Sequence, residues 1–159
     1  GWVPWKGLDE TAQPRFIHNR SERFESRWVQ VKIQPSPSIL FAGMEGSTLG
    51  IHIAHGEGQC FFPDKEILYQ TMHSSLVPLV YVDSKNEPTE KYPFNPNGSV
   101  SGIAALCSPD GRHLSMMPHP ERAFLPWQCH YLPPEWSSIQ VSPWLQLFQN
   151  ARKWCLENR

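Results

Sequence analysis

Five or six short strands and two helices, in a chain of 159 residues with little sign of an internal linker, predict an α/β fold. Three stretches carry that prediction. Trp28-Val29-Gln30-Val31-Lys32-Ile33 alternates in apolar character, with Trp28 or Val29 opening a strand that stops at Pro35. Leu79-Val80-Tyr81-Val82 is an apolar run of strand-favouring residues. From Ser142 onward the pattern is helical, with Ser142 as cap and Pro143 at the first position, where no donor is required. Trp144, Phe148, Ala151 and Cys155 share one predicted stripe of that helix, flanked by Leu147 and Trp154.

The remaining elements follow in chain order. Residues 1–15 read as loop, because Pro4, Gly7 and Pro14 break any period. After the first strand and the turn at residues 34–38, residues 49–54 read as a second strand. His55-Gly56-Glu57-Gly58 comes next, and its two glycines permit unusual backbone angles. Residues 60–62 suit a short third strand, and residues 65–71 a helix with Ile67, Leu68 and Thr71 at helical spacing. Past the fourth strand, Pro93-Phe94-Asn95-Pro96-Asn97-Gly98-Ser99 is dense in turn formers, and Asn97-Gly98 forms a tight-turn pair. Residues 102–106 and 113–117 then predict an antiparallel hairpin with Asp110-Gly111 at its tip.

Composition excludes several function classes. Fourteen Lys and Arg against 15 Asp and Glu leave no net field to attract nucleic acid or an anionic membrane. The apolar runs fall far short of the roughly 20 residues a membrane-spanning helix needs. Cys60, Cys107, Cys129 and Cys155 are widely scattered and form no C-x-x-C pair, so free, mostly buried thiols in a reducing, cytoplasmic setting are expected. No metal site is expected, because His52-Ile53-Ala54-His55 lacks the Glu that follows the first His in a metalloprotease helix. The start Gly1-Trp2-Val3-Pro4-Trp5, with no initiator Met and no polar lead-in, gives the expectation of a chain cut from something larger.

The chemistry-bearing segment is Met116-Met117-Pro118-His119-Pro120-Glu121-Arg122. Extended backbone, favoured before each proline, would place His119 and Glu121 on one side. The carboxylate can then accept the Nδ1 proton, fix the tautomer and leave Nε2 as a base. That is the base and its orienter without a nucleophile. No G-x-S-x-G or G-x-C-x-G elbow occurs in the sequence, and neither Cys107 nor Cys60 has glycine on both flanks. A surface His beside a solvated Glu is the plainer alternative. The interleaved Arg15, His18, Arg20, Arg23 and Arg27, with Glu22 and Glu25 among them, read as a solvated or domain-contacting face.

Six segments in order resemble the C-terminal part of the glutaminase domain of the large single-chain phosphoribosylformylglycinamidine synthases: residues 18–28, 54–58, 92–99, 107–112, 116–122 and 142–148. The N-P-N-G-S stretch, Asn95 to Ser99, separates that family from other class I glutamine amidotransferases. The resemblance implies the second part only of a three-layer class I amidotransferase fold, with residues 1–159 forming the C-terminal part of the glutaminase domain and the nucleophile elbow absent. It implies His119 and Glu121 as two members of a Cys-His-Glu triad, and a role for His55, Gly56 and Glu57 in holding L-glutamine. It further implies an ATP-dependent ligase of purine biosynthesis, with ATP and magnesium bound by upstream synthetase domains of the same parent chain. No cofactor is expected in this chain, and without a nucleophile it is expected to be inactive alone. Another class I amidotransferase subunit, or a non-catalytic interaction domain of the same fold, stands as the alternative.

Overall fold

A computed structural model describes residues 1–158. Its strands are β1 (Arg15–Ile17), β2 (Glu25–Ile33), β3 (Thr48–His55), β4 (Gln59–Phe61), β5 (Leu79–Tyr81), β6 (Ile103–Cys107) and β7 (Leu114–Met116), and its helices are α1 (Lys65–His73) and α2 (Leu145–Glu157). Five strands make one sheet in the order β3-β2-β5-β6-β7, with every neighbouring pair antiparallel. β1 and β4 form a separate antiparallel pair. The mixed architecture expected from the sequence is the one found.

Several boundaries differ from expectation, each for a physical reason. β2 begins at Glu25, ahead of Trp28, because Glu25, Ser26 and Arg27 pair with His55, Ala54 and Ile53 whatever their polarity. β1 lies where loop was expected to give way. It is a strand through its partner, with Arg15 opposite Phe61 and Ile17 opposite Gln59. The hairpin of β6 and β7 forms as predicted, and Gly111 at its tip has a φ of +71°, with a Cβ there set to collide with the Pro37 carbonyl. At Asn97-Gly98 only Gly98 adopts positive φ. α1 is capped by Asp64, whose Oδ1 accepts from the amides of Glu66 (2.7 Å) and Ile67 (3.4 Å).

The C-terminal helix is rotated and starts later than the sequence pattern proposes. Ser142 and Pro143 sit in the preceding turn, where the Ser142 carbonyl accepts from Leu145 N at 3.0 Å. Trp144 and Leu147 are buried, but Phe148 is 40% exposed and Cys155 is exposed. The anchor is Asn150, whose Nδ2 donates to the carbonyls of Leu40 (3.0 Å) and Ala42 (2.9 Å). That polar contact turns the helix so that Trp144, Leu147, Ala151 and Trp154 face inward rather than the Phe148 and Cys155 stripe.

The sheet is buried on both faces at β5 and β6, and on one face at β2 and β3. One core gathers Val29, Val31 and Ile33 of β2, Ile51 and Ile53 of β3, and Leu79 and Tyr81 of β5, closed by Phe41, Trp144 and Leu147. The other gathers Val80, Val82, Ile103 and Leu106 with Cys60, against Ile67 and Leu68 of α1. Adjacent residues of β5 therefore serve opposite cores, which accounts for its unbroken apolar run.

The sheet is also curled. β3 and β7 are opposite edges, yet His119, just beyond the end of β7, forms an antiparallel bridge to His52 of β3. In a flat sheet those edges would lie about 19 Å apart. The residues between Met116 and His119 span about 10 Å at most. Curling brings the edges together, and the outer edge of β3 is covered there. Its Gly50 carbonyl accepts from Trp144 Nε1 at 2.8 Å, and its His52 carbonyl from His119 N at 2.8 Å.

Trp144, 1% exposed, joins α2 to that edge. Trp144→Ala is expected to lower unfolding free energy by about 3–5 kcal/mol, since it leaves a cavity and an unpaired carbonyl. Trp144→Phe is expected to cost clearly less. Denaturant titration of the three proteins, comparing midpoints at constant slope, checks this.

Candidate active site

His119 is placed by its backbone before its side chain. Its amide is spent on the His52 carbonyl, and a 3-10 turn, Pro120–Arg122, follows at once. Arg122 N donates to the His119 carbonyl (3.1 Å) and Ala123 N to that of Pro120 (3.1 Å). Pro120 occupies the first position of the turn, where its fixed φ fits and no donor is lost. The extended geometry expected for this segment is thus replaced by a tight turn. The expected pairing survives the change: His119 Nδ1 lies 2.6 Å from Glu121 Oε1. The carboxylate can only accept, so Nδ1 donates and the Nε2 lone pair is left available. Among the described residues Nε2 has no hydrogen-bond partner. The His119 side chain is 27% exposed and Glu121 53%, so the pair opens to the surface instead of lying in the core. Arg122 Nε approaches the same Glu121 oxygen at 3.7 Å.

His55 ends β3, three residues beyond the His52 that bridges to His119, and Gly56 and Glu57 follow it. His55 is 6% exposed, and neither ring nitrogen has a partner among the described residues. Burial is the largest influence on the ring and lowers its pKa, and the charge of nearby His119 acts in the same direction. Gly58 packs so close against His55 that a Cβ would overlap its imidazole. Glu57 points outward and lies 3.5 Å from His18, a pair largely in water and of little energetic weight.

The loop holding these residues is clasped by side chains that the sequence marked only as turn formers or as part of the resemblance. Asn19 Nδ2 donates to the His55 carbonyl (2.7 Å), and Asn19 Oδ1 accepts from Gly58 N (2.9 Å). Asn97 Nδ2 donates to the Gly58 carbonyl and to Tyr81 Oη, both at 2.8 Å. Ser99 Oγ accepts from Cys60 N at 2.9 Å. Asn95 Oδ1 accepts from Gly98 N (3.0 Å) and Ser99 N (3.2 Å), shaping the loop that carries Asn97. Asn19, Asn95, Asn97 and Ser99 are each 1% exposed or less. The available signal was their chemistry: short amide and hydroxyl side chains among turn formers substitute for backbone partners.

No cysteine of the chain is hydrogen-bonded to His119. Burial raises the pKa of Cys60 to about 12 and of Cys107 to about 11, and raises that of Cys129 as well. Cys60 and Cys107 are buried as expected, Cys129 is half-buried, and Cys155 is exposed on α2. The basic stretch is divided. Arg27 pairs with buried Glu25 at 2.5 Å and donates to Tyr92 Oη, whereas Arg20 and Arg23 line an open cleft of about 510 Å³. Among the described residues, no helix is long and apolar enough to cross a membrane.

Comparison with known proteins places this chain in a family. The model of the CobB/CobQ-like glutamine amidotransferase domain matches residues 1–155. The chain is 57% identical over 159 residues to the probable phosphoribosylformylglycinamidine synthase, chloroplastic/mitochondrial, of Arabidopsis thaliana, covering 97% of this chain and 11% of that protein. It is 53% identical to the phosphoribosylformylglycinamidine synthase of Dictyostelium discoideum, covering 98% of this chain and 12% of the relative. The human phosphoribosylformylglycinamidine synthase is 51% identical over 93% of this chain and 11% of its own length. The chain therefore spans about a tenth of the length of these relatives. PurLQS from Thermotoga maritima aligns with a TM-score of 0.64 at 22% identity, over 92% of this chain and 55% of that one, which shows a shared fold.

Because the folded His55 ring is harder to protonate than a free imidazole of pKa 6.5, the unfolded chain takes up more protons below that value. Its contribution to stability is complete above about pH 6.5 and is lost as the pH falls below it. His55→Leu is expected to flatten the decline of the melting midpoint between about pH 7 and pH 5. Parallel melting curves for the two proteins across that range would show that His55 is not the titrating group.

Proposed function

The chain belongs to the CobB/CobQ-like glutamine amidotransferase family, and from that premise we propose that it forms the base-bearing part of a glutaminase site. In this reading residues 1–159 are the C-terminal part of a glutaminase domain, within an enzyme that makes formylglycinamidine ribonucleotide for purine biosynthesis. Support comes from the 51–57% identity to three phosphoribosylformylglycinamidine synthases together with the 2.6 Å His119–Glu121 contact. The contact carries the mechanism.

A cysteine supplied from outside these residues gives its thiol proton to His119 Nε2, and the resulting thiolate attacks the side-chain amide carbon of L-glutamine. His119, oriented through Nδ1 by Glu121, protonates the leaving nitrogen from Nε2, and ammonia departs. Neutral Nε2 then takes a proton from a water molecule as that water attacks the glutamyl thioester, releasing glutamate and restoring the thiolate beside a protonated His119. The backbone around His55, Gly56 and Glu57 holds the α-amino-acid end of glutamine. Glu121, half in water, serves as orienter and counter-charge and does not itself need to take up the proton.

Ammonia passes to synthetase domains elsewhere in the parent chain, where ATP and magnesium activate the acceptor amide. This chain has no glycine-rich phosphate loop of the Walker type, so those groups belong to the other domains. Its own thiols, held protonated by burial at Cys60 and Cys107, do not replace the missing nucleophile, and the isolated 159-residue chain is inactive on glutamine. Unpaired thiols suit a reducing compartment, and the cytoplasm is the compartment we propose.

In the parent enzyme, His119→Ala is expected to lower glutamine-dependent synthesis by at least about 10³-fold while leaving synthesis from added ammonium salt intact. Assaying both donors on one preparation checks this. Retention of glutamine-dependent turnover would contradict the assignment of His119.

A further inference from the structure

The basic stretch leading into β2 takes no part in the chemistry above, and two of its arginines lack a partner. Arg20 and Arg23 are exposed, and neither forms an ion pair among the described residues. Both line one open cleft of about 510 Å³, together with Glu90, Tyr92, Asn95 and Gly98. That lining holds two guanidiniums and one carboxylate, and the carboxylate already accepts from Ser101 N at 2.6 Å.

The walls of the cleft are fixed by the fold. Arg20 N donates to the Asn97 carbonyl at 2.9 Å, and the Arg20 stem packs on Gly98 so closely that a Cβ there would overlap it. Tyr92 is held by Arg27, whose Nη2 donates to Tyr92 Oη at 2.6 Å and whose guanidinium lies 4.8 Å from the ring centre. Even so, Tyr92 is 58% exposed, and Phe24, next to Arg23 in the chain, is 68% exposed. Ordered aromatic rings beside unpaired arginines are the composition of a protein interface.

A small phosphate ligand fits this cleft less well. Asn95 Nδ2 is occupied by the Thr89 and Ser99 carbonyls, and the amides of Gly98 and Ser99 by Asn95 Oδ1. Ser21 Oγ is buried. The long arginine side chains are left as donors, without the run of fixed backbone amides that cradles a phosphate. Carboxylates carried on a polypeptide suit both features, since they pair with each guanidinium while their own chain covers the aromatic surface.

The chain spans about a tenth of the length of its relatives, so most of a parent enzyme of that size lies outside it. We propose that this cleft docks an acidic segment of the synthetase part of the parent enzyme, with Arg20 and Arg23 taking its carboxylates and Tyr92 covered between them. This rests on the reading of the chain as one part of such an enzyme. Asn97 joins the docking face to the loop after β3, because its carbonyl accepts from Arg20 N and its Nδ2 donates to the Gly58 carbonyl.

The test is hydroxyl-radical footprinting of the intact parent enzyme, with Tyr92 oxidation measured against its rate in the urea-unfolded enzyme. Tyr92 is expected to react about tenfold more slowly in the native enzyme, because interface cores exclude water. Arg20→Glu combined with Arg23→Glu is expected to raise the native rate about fivefold, by setting like charges against each other. Arg20→Gln with Arg23→Gln, which removes the charges without reversing them, is expected to fall between. Buried Tyr81, 0% exposed, reports that each variant is folded and is expected to stay slow throughout. A native Tyr92 rate near half the unfolded one, as its 58% exposure in this chain implies, would overturn the proposal. Protection that persists after charge reversal would overturn it too, since the occupant would not be acidic. So would protection that appears only on adding inorganic phosphate, which marks an anion site instead. The footprint needs no turnover, so it stands or falls apart from the His119→Ala assay of the glutaminase reading.

Discussion

The hydrogen bond from His119 N to the His52 carbonyl governs how this chain becomes a site. An edge strand leaves every second carbonyl without a partner, and such an edge has to be covered or it pairs with another chain. Here the covering group is the residue proposed to do the chemistry. Its neighbour along the edge is the Trp144 indole on the Gly50 carbonyl, so the same strand also seats α2. Sheet curl, helix position and placement of the base therefore meet at β3. A side chain fixed in this way needs few contacts of its own. His119 gains its orientation from one carboxylate at 2.6 Å and keeps the other ring nitrogen open.

The C-terminal end of β3 is held by different means. Where the strand gives way to the loop of residues 55–58, backbone pairing stops and amide side chains take over. Asn19, Asn97 and Ser99 supply bonds that a further strand would otherwise have made. Burying these polar groups is tolerable because most of their capacity is used, and partners in a dry interior hold geometry more tightly than they would in water. Asn97 Oδ1 and the two nitrogens of His55 are left over. Those of His55 lie beside the backbone proposed to hold the substrate.

Much of this was legible in the residues. Alternation in β2 and β3, the β6–β7 hairpin and the His119–Glu121 pair all follow from local periodicity and spacing, and all are present. What failed to show had non-local causes. β1 depends on β4 across more than forty residues of chain, and no local pattern marks it. The rotation of α2 depends on Asn150 reaching the backbone of residues 40 and 42, which apolar periodicity cannot register. The His119 turn replaced an extended segment because the tertiary bond to β3 and the proline-led 3-10 turn together outweighed the local preference. N-P-N-G-S was read as a family mark, and its physical role as a brace for the neighbouring loop became visible only with the fold.

The central claim is a division of labour: this chain supplies base and orienter, and another segment supplies the nucleophile. The most direct measurement is covalent labelling of the parent enzyme with a diazoketone analogue of glutamine, followed by peptide mass spectrometry of the adduct. The account predicts one stoichiometric adduct, on a cysteine outside these 159 residues, formed in the native enzyme and suppressed in His119→Ala. An adduct on Cys60, Cys107, Cys129 or Cys155, or labelling indifferent to His119, would contradict it.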